Sequence, residues 1–183
     1  MKPAALAFAI GLLATPLAAD DVTDTLSAAL QAYEDGDIDA AIEELDFAKS
    51  LLKAMQTVEL GQFLPDPPDG WTREIDSDAG QGFAFIGGGA GTEAEYSNGT
   101  DRVTLMMVAD NPMITAFGGM ISNAAMLGMK LERIGGQRFI VDDGEYTALV
   151  DDRILVQARG AGPEAILPLL EAIDYDALER FGD

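Results

Sequence analysis

The chain of 183 residues contains no cysteine and no histidine. Without cysteine there are no disulfides, no thiol nucleophile, no thiolate metal site and no lipid attached through sulfur, so stability rests on packing. Without histidine the usual neutral-pH base and the commonest transition-metal ligand are gone, and most catalytic triads and zinc sites go with them. Any catalysis would rest on carboxylates, Lys, Tyr, Ser or Thr. Positive charge is scarce as well: 11 Lys and Arg stand against 32 Asp and Glu, a formal net charge of -21. Such a surface repels nucleic acid and anionic lipid. Solubility in an exported, salt-exposed setting accounts for it; attraction to a basic partner or to divalent cations is the sharper alternative. What the chain does have is 48% hydrophobic residues, which points to a folded globular protein of one or two domains.

Residues 1–19 read as a secretory signal peptide: Lys2 is the positive start, Ala4 to Ala14 the apolar middle, and Leu17-Ala18-Ala19 a small-residue end before Asp20. The apolar run is too short to span about 30 Å of hydrocarbon, and Thr15-Pro16 interrupts it. Cleavage removes Lys2 and no acid, taking the net charge from -21 to -22. The expected location is therefore the periplasm or the exterior of a Gram-negative bacterium, with no membrane span in the mature chain.

Residues 20–60 carry a helical period. Leu26, Ala29, Leu30 and Tyr33 make one stripe; after Gly36 a second runs through Ile38, Ala41, Ile42, Leu45, Ala48, Leu52 and Met55. Two antiparallel helices are expected. The joint AYEDGDIDAAI resembles the tetratricopeptide helical hairpin, with Tyr33, Gly36, Asp37, Ala41, Ile42 and Ala48 as the matching residues. It covers one repeat, too few for a solenoid, so the hairpin must pack elsewhere or self-associate.

Residues 61–70, GQFLPDPPDG, form a stiff connector, because Pro65, Pro67 and Pro68 forbid regular helix. Residues 71–183 then read as a mostly antiparallel sheet with helices packed on it. The strand signals are FAFI, GTEAEYS, DRVTLMMVA, RFIV, EYTALV and RILVQA, with turns at Asn98-Gly99, Asp143-Gly144 and Asp151-Asp152. A terminal helix is expected to start near Pro163 and to be disturbed at Pro168. The fold class is α+β: an N-terminal α-helical hairpin, then an antiparallel sheet domain carrying helices. With PPDGW at its start, a central apolar helix and a terminal acidic one, this layout is similar to the PsbP-like fold of the photosystem II extrinsic subunit superfamily. It also resembles secreted bacterial proteins of unknown function that join such a domain to a helical hairpin. The resemblance implies an assembly or binding module and transfers no catalytic residue.

The candidate chemical motifs each have a structural rival. Gly89, Gly91 and Ala94 fit G-x-G-x-x-A, but a strand follows them where a phosphate site needs a helix N-terminus. Asp35, Asp37, Asp39, Glu43 and Asp46 fall at calcium-loop spacing, yet Ala40 replaces the essential glycine and the helical stripe is already running, so Asp37 reads as a helix N-cap. The pairs Asp142-Asp143 and Asp151-Asp152 lie at opposite ends of the strand Glu145 to Val150, where turn chemistry suffices. Asn98-Gly99-Thr100 forms a glycosylation sequon, read as a hairpin turn. Methionine-held copper, involving Met106 or Met107, lacks His or Cys to support it.

The remaining feature is NPMITAFGGMISNAAMLGM, residues 111–129, without one charge. Met113, Phe117, Met120, Ala124 and Leu127 form a helical stripe that Ile114, Ile121 and Ala125 widen beyond a half-buried helix. One side is expected to pack on the sheet; the other is either covered or forms an adaptable apolar groove. The expected function is an exported, non-catalytic binding or assembly module that engages an apolar small molecule or a protein partner through Met113, Phe117, Met120, Ile121 and Met126, with no metal, cofactor or nucleic acid. The alternatives are a carboxylate-based or metal-assisted hydrolytic enzyme, and structural self-association through the hairpin.

Overall fold

The computed structural model describes residues 17–76, 88–114, 118 and 128–182. They divide between Leu51 and Leu52 into two compact units, and confirm the α+β class. The strand expected at FAFI lies outside the described residues.

In the first unit, α1 (Leu17–Glu34) and α2 (Ile38–Gly61) form a helical hairpin. Gly36 makes the turn at φ +81°, and the Asp37 carboxylate accepts the Ala40 N–H at 3.1 Å. That bond caps one of the free donors at the start of α2, and Asp39 sits in its first turn near the positive end of the helix dipole. The acids from Asp35 to Asp46 thus belong to a cap and a helix rather than to a cation loop. Val22, Thr25, Ala29, Ala41 and Ala48 are buried, so the inward side of this hairpin consists of small and medium residues. The larger members of the two expected stripes are not there. Leu26, Leu30, Tyr33, Ile38, Ile42 and Leu45 are exposed.

The second unit begins within α2, whose Leu60 enters the core beside Leu64. The proline-rich connector is pinned by side chains. Arg73 Nη1 donates to the carbonyls of Leu64 at 2.8 Å and Pro65 at 2.9 Å, and the buried Tyr96 hydroxyl donates to Pro65 O at 2.7 Å. Backbone that Pro residues bar from helix or sheet finds its partners there.

Among the described residues seven antiparallel strands follow: β1 (Thr72–Asp76), β2 (Ala90–Ser97), β3 (Arg102–Ala109), β4 (Lys130–Ile134), β5 (Gln137–Asp142), β6 (Glu145–Val150) and β7 (Ile154–Gly160). Their order is β1-β2-β3-β7-β6-β5-β4. The central register sets Leu105 opposite Ala158 and Met107 opposite Val156. On that face alternate residues are fully buried beneath α3 (Pro163–Glu171) and α4 (Tyr175–Leu178), which contribute Ile166, Leu169, Leu170 and Leu178 to the core.

Three details depart from the sequence reading. The edge strands β1 and β4, TREID and KLERI, carry no strand signal in sequence because charges outnumber their core-facing side chains, as is common where an edge must resist pairing with another chain. Asn98-Gly99 is not a two-residue turn but half of a four-residue loop: Ser97 pairs with Arg102, and Asn98 Oδ1 accepts the N–H groups of Thr100 and Asp101. The single terminal helix expected from Pro163 is two helices, α3 and α4: Pro168, where a disturbance is expected, is exposed inside α3, so the Glu164 carbonyl that loses its partner there can turn to water, and α3 ends at Glu171.

Gly160 sits at φ +121° opposite Val103, where a Cβ would collide with the Arg102 carbonyl oxygen. Because the obstacle is backbone, Gly160→Ala is expected to lower the unfolding free energy by about 2–4 kcal/mol or to prevent folding. Gly144→Ala, also at positive φ but in open space, should lose only about 1 kcal/mol. Urea denaturation followed through Trp71 fluorescence measures both.

Candidate functional site

The uncharged run starts as the sequence suggests. Asn111 Oδ1 accepts the Met113 N–H at 2.9 Å, and residues 112–114 are helical. Asn111 Nδ2 also donates to Gly88 O at 2.7 Å, which ties this start to the segment before β2. The run leaves β3, third in the sheet, and returns as β4 at the far edge, four strand spacings or about 19 Å away. Gly118, the one described residue between Ile114 and Gly128, is helical and so close to Leu149 that a Cβ would stand 3.1 Å from Leu149 Cδ2. Leu149 lies between the core residues Ala148 and Val150 and therefore points to the other face of the sheet. The connection meets that second face at β6, where a charge would lose its water. Ile114 is buried and Met113 is 50% exposed. Phe117, Met120, Ile121 and Met126, the other residues expected to bind, lie outside the described residues.

Among the described residues the larger exposed apolar surface belongs to the hairpin. Leu26, Leu30 and Tyr33 are 44%, 59% and 65% exposed, and Ile38, Ile42 and Leu45 are 51%, 53% and 51%. These residues share one side for a geometric reason. Leu26, Leu30, Ile42 and Leu45 each follow an inward-facing position (Thr25, Ala29, Ala41 and Glu44), which turns them about 100° in the same hand along each helix. The helices run in opposite directions, so the two rotations bring both rows out on the same side of the pair. Helical periodicity alone makes these residues the packing stripe. A signal that distinguishes the rows is their composition: two helices bury one narrow seam against each other, and the alanine row fills it, leaving the Leu and Ile row beside it without cover.

A cleft of about 480 Å³ in the second unit is lined by Gly61 to Asp66, Arg73, Ala172, Asp174 and Ala177. Its charged groups are already engaged. Arg73 holds the connector carbonyls and stands 3.7 Å from Asp66, and the Asp174 carboxylate accepts the Ala177 N–H as the cap of α4. Arg153 is likewise occupied: it pairs with Asp151 at 3.1 Å and Asp110 at 3.2 Å, donates to the Phe181 carbonyl and lies over the Phe181 ring. It joins the end of β3, the β6–β7 turn and the C-terminal segment.

The paired acids occupy turns. Asp143, Asp151 and Asp152 have φ of 46°, 50° and 52°, a left-handed conformation that Asp tolerates better than most residues. Among the described residues no group of three or more Asp and Glu is gathered as a metal would need. The glycines before β2 lead straight into a strand from Ala90. No described helix is long and apolar enough to cross a membrane. No protein-family model, no curated protein and no solved structure matches the chain.

Burial raises the Tyr96 phenol from 10.0 to about 12, and burial also raises Tyr175. The folded protein therefore keeps protons that the unfolded chain releases near pH 10, and stability falls as pH rises from 10 towards 12. Tyr96→Phe removes one such group. It should cost about 1 kcal/mol at neutral pH through the lost bond to Pro65, while its urea midpoint declines less steeply than that of the wild type above pH 10.

Proposed function

We propose that the protein is an exported binding or assembly module whose N-terminal hairpin docks a protein partner on its exposed apolar side. The observation that carries this reading is the row pair Leu26, Leu30, Tyr33 and Ile38, Ile42, Leu45, all more than two-fifths exposed. Single exposed apolar residues are ordinary, whereas contiguous rows on one side of a folded element mark an interaction surface. Protein is favoured over nucleic acid or an anionic bilayer because the net charge of -21 opposes both. Export rests on the signal-like residues 1–19. The tetratricopeptide-like and PsbP-like resemblances, which imply assembly or binding modules, agree with this reading and rest on the sequence alone.

A second reading keeps the methionine-rich run as an adaptable apolar groove for a small molecule or partner, supported by the 50% exposure of Met113. The hydrolytic alternative has less behind it, since Asp142-Asp143 and Asp151-Asp152 flank opposite ends of β6.

A neutral solvatochromic dye such as Nile red separates the two surfaces. Its emission should be enhanced by the wild-type protein and reduced roughly threefold in Leu30→Ser/Ile42→Ser, with helix content retained in far-UV circular dichroism. Loss of the signal in Met113→Ser instead would assign the surface to the methionine-rich run.

A further inference from the structure

We infer that the occupant of the hairpin face is a basic amphipathic helix and not a second copy of this chain, an inference that rests on the docking role proposed above. Glu34, Asp39, Glu43 and Asp46 each follow a residue of the apolar rows, at Tyr33, Ile38, Ile42 and Leu45. At about 100° per residue, each lies one step further round its helix, on the outer margin of the face. All four are exposed, and among the described residues none is paired with a basic side chain. Between residues 20 and 51 ten carboxylates stand against the single base Lys49, which lies in line with the α2 row one turn beyond Leu45. The face is an oily strip with an almost wholly negative rim.

Two such faces brought together would set these carboxylates against each other while removing water from between them. Like charges at close range cost several kcal/mol in an interface, whereas Lys and Arg around a matching apolar stripe gain from the same field. The backbone of the surface selects the partner's secondary structure. Helices present no open row of N–H and C=O groups, so an extended peptide would gain no ladder here; a helix satisfies its own backbone and needs only a groove for its side chains. Each row spans about two helical turns, enough for apolar anchors at i, i+3 or i+4, and i+7.

The test uses three labelled helical peptides of roughly 20 residues, long enough to hold helix. One has leucines at i, i+3, i+4 and i+7 with lysines elsewhere; the second replaces lysine by glutamate; the third keeps the lysines and scatters the leucines around the helix. Binding to the protein is read by fluorescence anisotropy, with solution mass measured by light scattering. The amphipathic lysine peptide should bind about tenfold tighter than the scattered one and lose about tenfold between roughly 20 mM and 300 mM salt. Leu30→Ser/Ile42→Ser should abolish the advantage of the amphipathic pattern, and Glu34→Lys/Asp46→Lys should shift preference toward the glutamate peptide. Equal binding of the glutamate peptide by the wild type, or a dimer that Leu30→Ser/Ile42→Ser dissociates, would overturn the basic-helix inference and leave docking on this face standing. If the protein stays monomeric, binds no amphipathic peptide and enhances Nile red equally with and without the serine substitutions, the docking role itself is wrong.

Discussion

β3 and β7 pair at the centre of the sheet although the whole of β4, β5 and β6 lies between them in sequence. On one side of this seam β1, β2 and β3 are sequential neighbours; on the other β4, β5, β6 and β7 are. Each group could form by local pairing, but only the central ladder makes them one sheet with one buried face. Its ends are fastened. At one, Ala161 N–H donates to Arg102 O beside Gly160; at the other, Asp110 N–H donates to Arg153 O while Arg153 holds the Asp110 carboxylate. The seam also dictates the connection from β3 to β4, which has to pass from the middle of the sheet to its far edge. Within that connection Gly118 lies against Leu149 on the second face.

The acidity of the chain is distributed by local chemistry. Asp37 and Asp174 cap helices, Asp143, Asp151 and Asp152 hold left-handed turns, and Asp110 and Asp151 receive Arg153. These are separate tasks at separate places. The hairpin is different because its carboxylates border exposed leucine and isoleucine side chains. An oily strip would tend to self-associate, and a rim of one sign opposes that while selecting for the opposite sign. On the docking role proposed above, the same residues would oppose self-association and set the choice of partner.

Periodicity determined much of the architecture. The helical hairpin, its Gly36-Asp37 joint, the strands β2, β3, β5, β6 and β7, and the helix start at Pro163 all follow from rules acting over a few residues. The edge strands were not legible, because β1 and β4 owe their conformation to a neighbour and show little alternation of their own. How far Pro168 disturbs α3 is not legible either, because sequence does not say which side of the helix faces water, and that orientation determines whether the freed carbonyl has a partner.

The sequence by itself determined which residues are apolar, where the chain turns and which chemistries are absent, since these follow from covalent structure and local conformational preference. Tertiary structure decided which apolar residues are used up. Ala29 and Leu30 are adjacent and both fit a helical stripe, yet one is buried and the other is 59% exposed. Burial is a property of what lies opposite a side chain, and a partner distant in sequence leaves no mark on the residue it covers.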